Sequence, residues 1–183
     1  TTLYAPPAYI TKQKVMRGRD LDPSRHKDLA LYMIDWVKFL KEKEKIPVKY
    51  ISIHNEGESW LRWPEDGTTG GALDEGHDYN LFWDPEQTVE MIKIMRPLRN
   101  EEGRDDVCIT NGEYKKWYRF YHWGFEKVLA ENQEAIDILS LITSNGFYVG
   151  PVQAGRWYGP HSNLAVVLLR TKKPELHAWV TST

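Results

Sequence analysis

The sequence predicts an α/β protein built on a parallel sheet, and three observations lead to this class. Short runs of aliphatic and β-branched residues alternate with longer segments whose apolar residues recur at helical spacing. Such alternation is typical of parallel strands joined by crossover helices. Polar residues follow nearly every predicted strand, as in Asn55-Glu56 and Ser144-Asn145. This favours part of a (β/α)8 TIM barrel over an open doubly wound sheet, because barrel enzymes collect their chemistry at several strand ends.

The first part of the chain carries two predicted strands with one helix between them. Leu3–Ile10 is predicted as a strand that runs into a double-proline turn. Asp22-Pro23 is a strong helix start, with Asp as the N-cap and Pro at the first helical position. The second strand is predicted over Tyr50–Ile53, between Pro47 and Gly57. The intervening helix has one apolar stripe, formed by Leu29, Tyr32, Met33, Trp36, Val37 and Leu40.

The rest of the chain repeats the pattern three times. Residues 57–83 lack periodicity and are predicted as a long functional loop, after which Asp84 caps a helix that Pro97 is expected to kink or end. Strands are predicted over 107–110, 138–142 and 176–181, separated by helices over 125–136 and 163–170, the second capped by Ser162. Five strands do not close an eight-stranded barrel. We therefore expect residues 1–183 to form one catalytic barrel domain of about five βα units, incomplete at both ends.

Composition excludes several classes of partner. The net charge of −2 gives no broad basic field that would favour nucleic acid. No apolar run approaches the roughly 18 residues that span a bilayer, and no leader peptide is visible. No group of His, Cys and Asp has metal-ligand spacing, so we expect no metal and no cofactor. Eight tryptophans and ten tyrosines are a high share, which suits ring platforms for sugars but also a large aromatic core.

Glu56 is the residue around which we interpret the chain. It stands at the carboxyl end of a buried strand, beside the amide of Asn55 and shortly before Trp60 and Trp63. A carboxylate in such surroundings suits general acid and base chemistry on a sugar. His54 points away from Asn55 along the strand and is interpreted as structural.

Further candidates for substrate contact follow the predicted strands or the central loop. Glu58 either binds a sugar hydroxyl or is a solvated loop residue, and Glu113 either faces the site or pairs with Lys115 or Lys116. Trp179 either floors the pocket or fills the core. The full set of predicted contacts is Asn55, Glu58, Trp60, Trp63, Asn111, Glu113, Asn145, Tyr148, Trp179 and Ser182.

Several segments, taken in chain order, carry a resemblance to a known group of enzymes. They are Pro6-Pro7-Ala8-Tyr9, the helix through Tyr32–Trp36, Ile53-His54-Asn55-Glu56, Tyr79-Asn80 followed by Phe82-Trp83, and Trp179 with Thr181. Together they resemble the clan A glycoside hydrolases, nearest to the family-30-like group of retaining β-glycosidases. The resemblance runs from the third to the seventh strand of the barrel.

The resemblance implies an extracellular or periplasmic enzyme that cleaves β-glycosidic bonds of a poly- or oligosaccharide with retention. Glu56 matches the acid/base on the fourth strand, and Asn55 matches the residue that binds the sugar 2-hydroxyl. Where the family has a nucleophilic Glu after the seventh strand, this chain has Ser182. The alternative is therefore a carbohydrate-binding barrel without catalysis, or a variant whose nucleophile has been replaced. Other segments of the same barrel are a further expected partner.

Overall fold

The structure is a computed structural model that describes residues 1–15, 18–58, 80–146 and 160–182, with the backbone alone for 160–163. Six α-helices are present in these ranges: α1 His26–Glu42, α2 Pro85–Glu101, α3 Trp117–His122, α4 Phe125–Ala130, α5 Gln133–Ile138 and α6 Pro160–Lys172. The strands are β1 Tyr50–Ser52, β2 Cys108–Thr110, β3 Leu139–Ser144 and β4 His177–Val180. Ala8–Ile10 and Pro23–Arg25 form single 3-10 turns.

The four strands form one parallel sheet in the order β1-β2-β3-β4. The predicted parallel α/β class is therefore confirmed. The predicted strand over Leu3–Ile10 is wrong, because the described N-terminus contributes only a parallel bridge from Thr2 to Ser52. Pro6 and Pro7 lack the N–H groups that a longer ladder would need, and a 3-10 turn follows them.

The sheet is strongly curved, as a contact between its two outer strands demonstrates. Tyr50 on β1 and Trp179 on β4 meet edge to face, with ring centroids 5.3 Å apart. Three inter-strand spacings separate β1 from β4, which in a flat sheet would hold these rings about 14 Å apart. The two rings therefore meet across a concave face, as they would inside part of a barrel wall.

Helix α1 buries a different face from the predicted one. Leu29, Met33 and Val37 are buried as expected, and Ala30 and Ile34 complete the buried face. Tyr32 and Trp36, predicted to share the apolar stripe, are instead 41% and 48% exposed. They line one side of a cavity of about 250 Å³, whose other side is formed by Thr1 to Ala5.

Helix boundaries follow local capping chemistry. Asp84 accepts a hydrogen bond from the Gln87 N–H at 2.7 Å, as predicted for an N-cap. Pro97 does not end α2, which continues to Glu101.

The predicted helices in the second half need two corrections. The helix predicted over 125–136 is divided at Glu131, where Asn132 caps α5 by accepting from the Ala135 N–H at 3.1 Å. Ser162 is not a cap, since α6 begins at Pro160. No helix in the described part of the chain is both long and apolar enough to cross a membrane.

Candidate active site

The carboxyl ends of all four strands meet at one edge of the curved sheet. Beyond β1 and β2, the Glu56 N–H donates to the Glu113 carbonyl at 2.7 Å. Beyond β2 and β3, the Asn145 N–H donates to the Tyr114 carbonyl at 2.7 Å. Beyond β3 and β4, the Thr181 N–H donates to the Ser144 carbonyl at 3.1 Å. This pairing brings the polar residues that follow the strands into one group.

Glu56 lies in this group in an unusual backbone conformation. Its φ is +49°, in the left-handed region that non-glycine residues adopt rarely, and its side chain is only 7% exposed. Lys14 and Lys45 share the conformation but are exposed. A strained backbone under a buried charged side chain is typical of functional sites, where the surrounding structure holds the residue in place.

Two side chains hold the carboxyl of Glu56 from different sides. The Nδ2 of Asn145 donates to Oε1 at 3.2 Å, and the Nζ of Lys115 lies 3.6 Å from Oε2. The same Asn145 nitrogen donates to Oδ1 of Asn55 at 3.3 Å. The acid and amide of the Asn-Glu pair are thus joined through a third residue, itself 2% exposed.

Glu58 is buried beneath this group, so its interpretation as a solvated loop residue is wrong. Its Oε1 accepts a hydrogen bond from the Lys115 backbone N–H at 2.8 Å and lies 3.6 Å from an Arg119 guanidinium nitrogen. Burial raises the pKa of Glu58 to about 7, and the hydrogen bond from Lys115 and the charge of Arg119 only partly oppose this. Lys115 therefore touches both glutamates, Glu58 through its backbone and Glu56 through its side chain.

Glu113 and Asn111 follow β2 but make different contacts. The Glu113 carboxylate accepts a hydrogen bond from the Thr2 hydroxyl, while Lys115, one of its two predicted ion-pair partners, lies at Glu56. Asn111 is fully buried and exchanges hydrogen bonds with the backbone of Thr143, at 2.6 Å to its N–H and 3.2 Å to its carbonyl. These bonds extend the β2–β3 ladder by one side chain.

The aromatic candidates divide between the described residues and the rest. Trp179 is 51% exposed on the concave face, on the same side of its strand as Thr181, and both of its predicted roles stay predictions. Trp60, Trp63 and Tyr148 lie outside the described residues, so their roles stay predictions. Ser182 is exposed and follows β4, at the strand end where the resemblance places a nucleophile.

His54 has a structural environment, as the sequence predicts. Its ring stacks on Trp83 and meets Tyr114 edge to face, with centroids 5.6 and 4.9 Å away. Burial lowers the pKa of His54 to about 3, so the ring is neutral at ordinary pH. Gly112 lies against it with φ +96°, and a Cβ there would fall 2.3 Å from the ring.

Sequence reasoning missed two members of the site. Lys115 is predicted only as a possible ion-pair partner of Glu113, although it stands two residues after that strand-end glutamate and thus near the shared edge. Thr181 was quoted only as part of a motif, yet its hydroxyl donates to Oδ1 of Asn145 at 2.9 Å. In the described ranges no three His, Cys, Asp or Glu side chains are grouped so as to hold a metal ion.

Comparison with solved structures identifies the fold. A GH30 endoxylanase from Clostridium papyrosolvens C71 matches 97% of this chain with a TM-score of 0.60 and 18% identity. An endo-β1,6-glucanase matches 100% of it with a TM-score of 0.69 and 15% identity. A family 30 subfamily 8 xylanase from Clostridium acetobutylicum matches 82% with a TM-score of 0.59 and 18% identity. No protein-family model and no curated protein matches the sequence.

These similarities confirm the predicted fold resemblance: the chain has the fold of part of a family 30 glycoside hydrolase barrel. It spans 37%, 36% and 33% of the length of the three solved structures, little more than a third at most. At such low identity the similarity establishes the fold and leaves the chemistry to the side chains.

Proposed function

We propose that this chain carries the acid half of a glycoside hydrolase site, with Glu56 as the general acid and base. The observation that carries the proposal is the placement of Glu56. Its carboxyl is nearly buried, sits on a left-handed backbone at the carboxyl edge of a curved parallel sheet, and is held by Asn145 and Lys115. In barrel enzymes this edge is where catalytic residues collect. The structural neighbours are named as xylanases and a β1,6-glucanase, which supports a carbohydrate substrate.

In the proposed reaction Glu56 protonates the glycosidic oxygen as the bond to the anomeric carbon breaks. A general acid needs its proton near the operating pH and a stable carboxylate after the transfer. The Lys115 ammonium, 3.6 Å away, stabilises that carboxylate once the proton has left. Asn55 lies beside Glu56 and supplies an amide for a sugar hydroxyl, while Trp179 offers a half-exposed indole on the concave face for an apolar sugar face.

Retention of configuration is the finer part of the proposal and needs a second carboxylate about 5–5.5 Å from the first. Ser182 supplies none at the end of β4. Glu113 is a candidate, because its backbone pairs with the Asn-Glu segment at the same sheet edge. NMR of the first-formed sugar anomer tests this point: a β product supports retention, and an α product means that water attacks directly.

The primary test is hydrolysis of β-linked glycans, including xylan and β-1,6-glucan, by the wild type and by Glu56→Gln. Removing a general acid costs about 10²–10⁴-fold in rate, so Glu56→Gln is expected to lose activity on that scale. Glu131→Gln, at an exposed glutamate that directly follows α4, is the matched control and is expected to keep full activity. An unchanged rate in Glu56→Gln would refute the role.

Ser182 favours one alternative, a barrel that binds carbohydrate without cleaving it. This protein would bind an oligosaccharide through Trp179 and the amides at the sheet edge. Calorimetry that detects binding, together with no release of reducing sugar over days, would support this alternative over hydrolysis.

Two further predictions belong to the proposal. We propose that the described sheet is completed by additional strands of the same barrel, because β4 is exposed along its whole length and the concave face is open at Trp179. We also propose that the protein acts outside the cytoplasm, where polymeric carbohydrate is found. Detection of the protein in the medium or periplasm of its host would test that location.

A further inference from the structure

We infer that Asn145 is a positioning residue, which sets the side chains of Asn55 and Glu56 relative to each other. This inference rests on the proposed function, and it changes the role predicted for Asn145 from substrate contact to support. It starts from a geometric fact: one buried side chain directly after β3 contacts both members of the Asn-Glu pair that follows β1.

The Nδ2 of Asn145 has two hydrogens and meets two acceptors. It donates to Oδ1 of Asn55 at 3.3 Å and to Oε1 of Glu56 at 3.2 Å. Since an amide nitrogen carries only two N–H groups, its donor capacity is fully used by these partners. Asn145 is 2% exposed, so a substrate hydroxyl would have to displace one of them to bind there.

The orientation of the Asn145 amide is fixed from the opposite side. The Thr181 hydroxyl donates to Oδ1 of Asn145 at 2.9 Å. The backbone is fixed as well, because the Asn145 N–H donates to the Tyr114 carbonyl at 2.7 Å. Hydrogen bonds thus connect Thr181, which follows β4, through the side chain of Asn145 to the carboxyl of Glu56. The three strands β1, β3 and β4 are joined through this one side chain.

Two consequences follow for the reacting groups. Oδ1 of Asn55 faces Asn145, so Nδ2 of Asn55 points away from Asn145 and is available as a donor. Oε1 of Glu56 accepts a hydrogen bond from Asn145, which restricts rotation of the carboxyl. Among the described residues, the charged groups around Glu56 are Lys115 at 3.6 Å from Oε2, the buried Glu58, and Glu113 on the paired segment.

Four variants distinguish a role of Asn145 in positioning Glu56 from a role in stability alone. Asn145→Ala removes both donated hydrogen bonds, and Asn145→Asp replaces the donor with an isosteric carboxylate. Thr181→Val removes only the hydroxyl that orients the amide. Ser144→Ala is the matched control, because Ser144 is equally buried and adjacent but donates only to backbone carbonyls.

Positioning predicts a graded effect on kcat with little change in KM. Asn145→Ala is expected to lose about 10- to 100-fold in kcat, the effect of removing a hydrogen bond to a charged group, and Thr181→Val about 3- to 10-fold. Asn145→Asp places a like charge beside Glu56, so its activity–pH profile is expected to move toward higher pH. Ser144→Ala is expected to keep the wild-type profile even where it lowers stability.

A spectroscopic readout tests the geometry without any substrate. The side-chain amide resonances of Asn145 in a 1H–15N spectrum are expected to move in Glu56→Gln and in Thr181→Val, and to stay in place in Ser144→Ala. The inference would be overturned if the Asn145 side-chain amide resonances were unchanged in Glu56→Gln. It would also be overturned if the variants at position 145 kept the wild-type kcat and pH profile. If the wild type hydrolyses no glycan, the proposed function fails, while the amide spectrum still decides whether Asn145 positions Glu56.

Discussion

Replacing Glu58 with glutamine should remove a defined part of the pH dependence of stability. The carboxyl side chain is inaccessible to solvent, and burial raises its pKa from the ordinary 4.5 to about 7. The folded state therefore holds this proton over a pH range in which the unfolded chain has released it. The stabilisation is complete below pH 4.5 and is lost as pH rises through about 7.

The magnitude follows from the size of the pKa change. A rise from 4.5 to about 7 corresponds to about 3 kcal/mol, at 1.36 kcal/mol per unit. Most of this change falls between pH 5 and 8. Over that range the free energy of unfolding of the wild type is expected to fall by about 2–3 kcal/mol relative to that of Glu58→Gln. Glutamine keeps an acceptor for the Lys115 N–H, at 2.8 Å in the wild type, and Arg119 keeps its contact with the Trp123 ring at 4.8 Å.

Urea unfolding at several pH values measures this difference. The pKa of Glu126 is also raised to about 7 by burial, but this group is present in both proteins and cancels in the comparison. Glu131→Gln, at an exposed position, serves as the control and should follow the wild type at every pH. A difference between wild type and Glu58→Gln that stays constant within about 0.5 kcal/mol from pH 5 to 8 would refute the reasoning.

Three other predictions follow from single contacts. Gly112→Ala should lower the free energy of unfolding in urea by about 2–4 kcal/mol, because the backbone has φ +96° and the new Cβ would contact the His54 ring. Gly103→Ala, whose Cβ would meet no neighbour, should cost only the backbone strain of about 1–2 kcal/mol. Asp84→Ala should cost about 1 kcal/mol through loss of the α2 cap, and a change below about 0.3 would contradict this. Lys115→Met should lower kcat on the glycan by about tenfold, because it removes the ammonium 3.6 Å from Oε2 of Glu56, and an unchanged kcat would exclude a role for that charge.

Local chemistry explains which parts of the fold could be predicted from the sequence. Asp22 and Asp84 accept hydrogen bonds from N–H groups two and three residues on, so both helix starts depend on neighbours in the chain. The alternation of strands and helices likewise predicted a parallel sheet, and the residues after each strand came together because parallel strands share an edge.

Tertiary packing explains the parts that could not be predicted. The spacing of Tyr32 and Trp36 suits a buried face, but α1 turns Ala30 and Ile34 inward instead, a choice that depends on its partner α2. The direction of a long side chain is equally non-local. Lys115 reaches Glu56 across the β1–β2 edge, and no periodicity in the sequence encodes that contact. The roles of Asn145 and Thr181 depend on strands that are 36 residues apart in the chain.

The most direct test of the central claim compares two kinds of substrate in Glu56→Gln. The leaving group of a polysaccharide is a sugar alkoxide, which must be protonated as the bond breaks. The leaving group of a dinitrophenyl β-glycoside is a stable phenolate, which needs no proton. If Glu56 is the general acid, Glu56→Gln should lose about 10²–10⁴-fold on the glycan that the wild type cleaves, yet release dinitrophenol in the first step at a rate within about tenfold of the wild type. Equal losses on both substrates, or no loss on the glycan, would contradict the account.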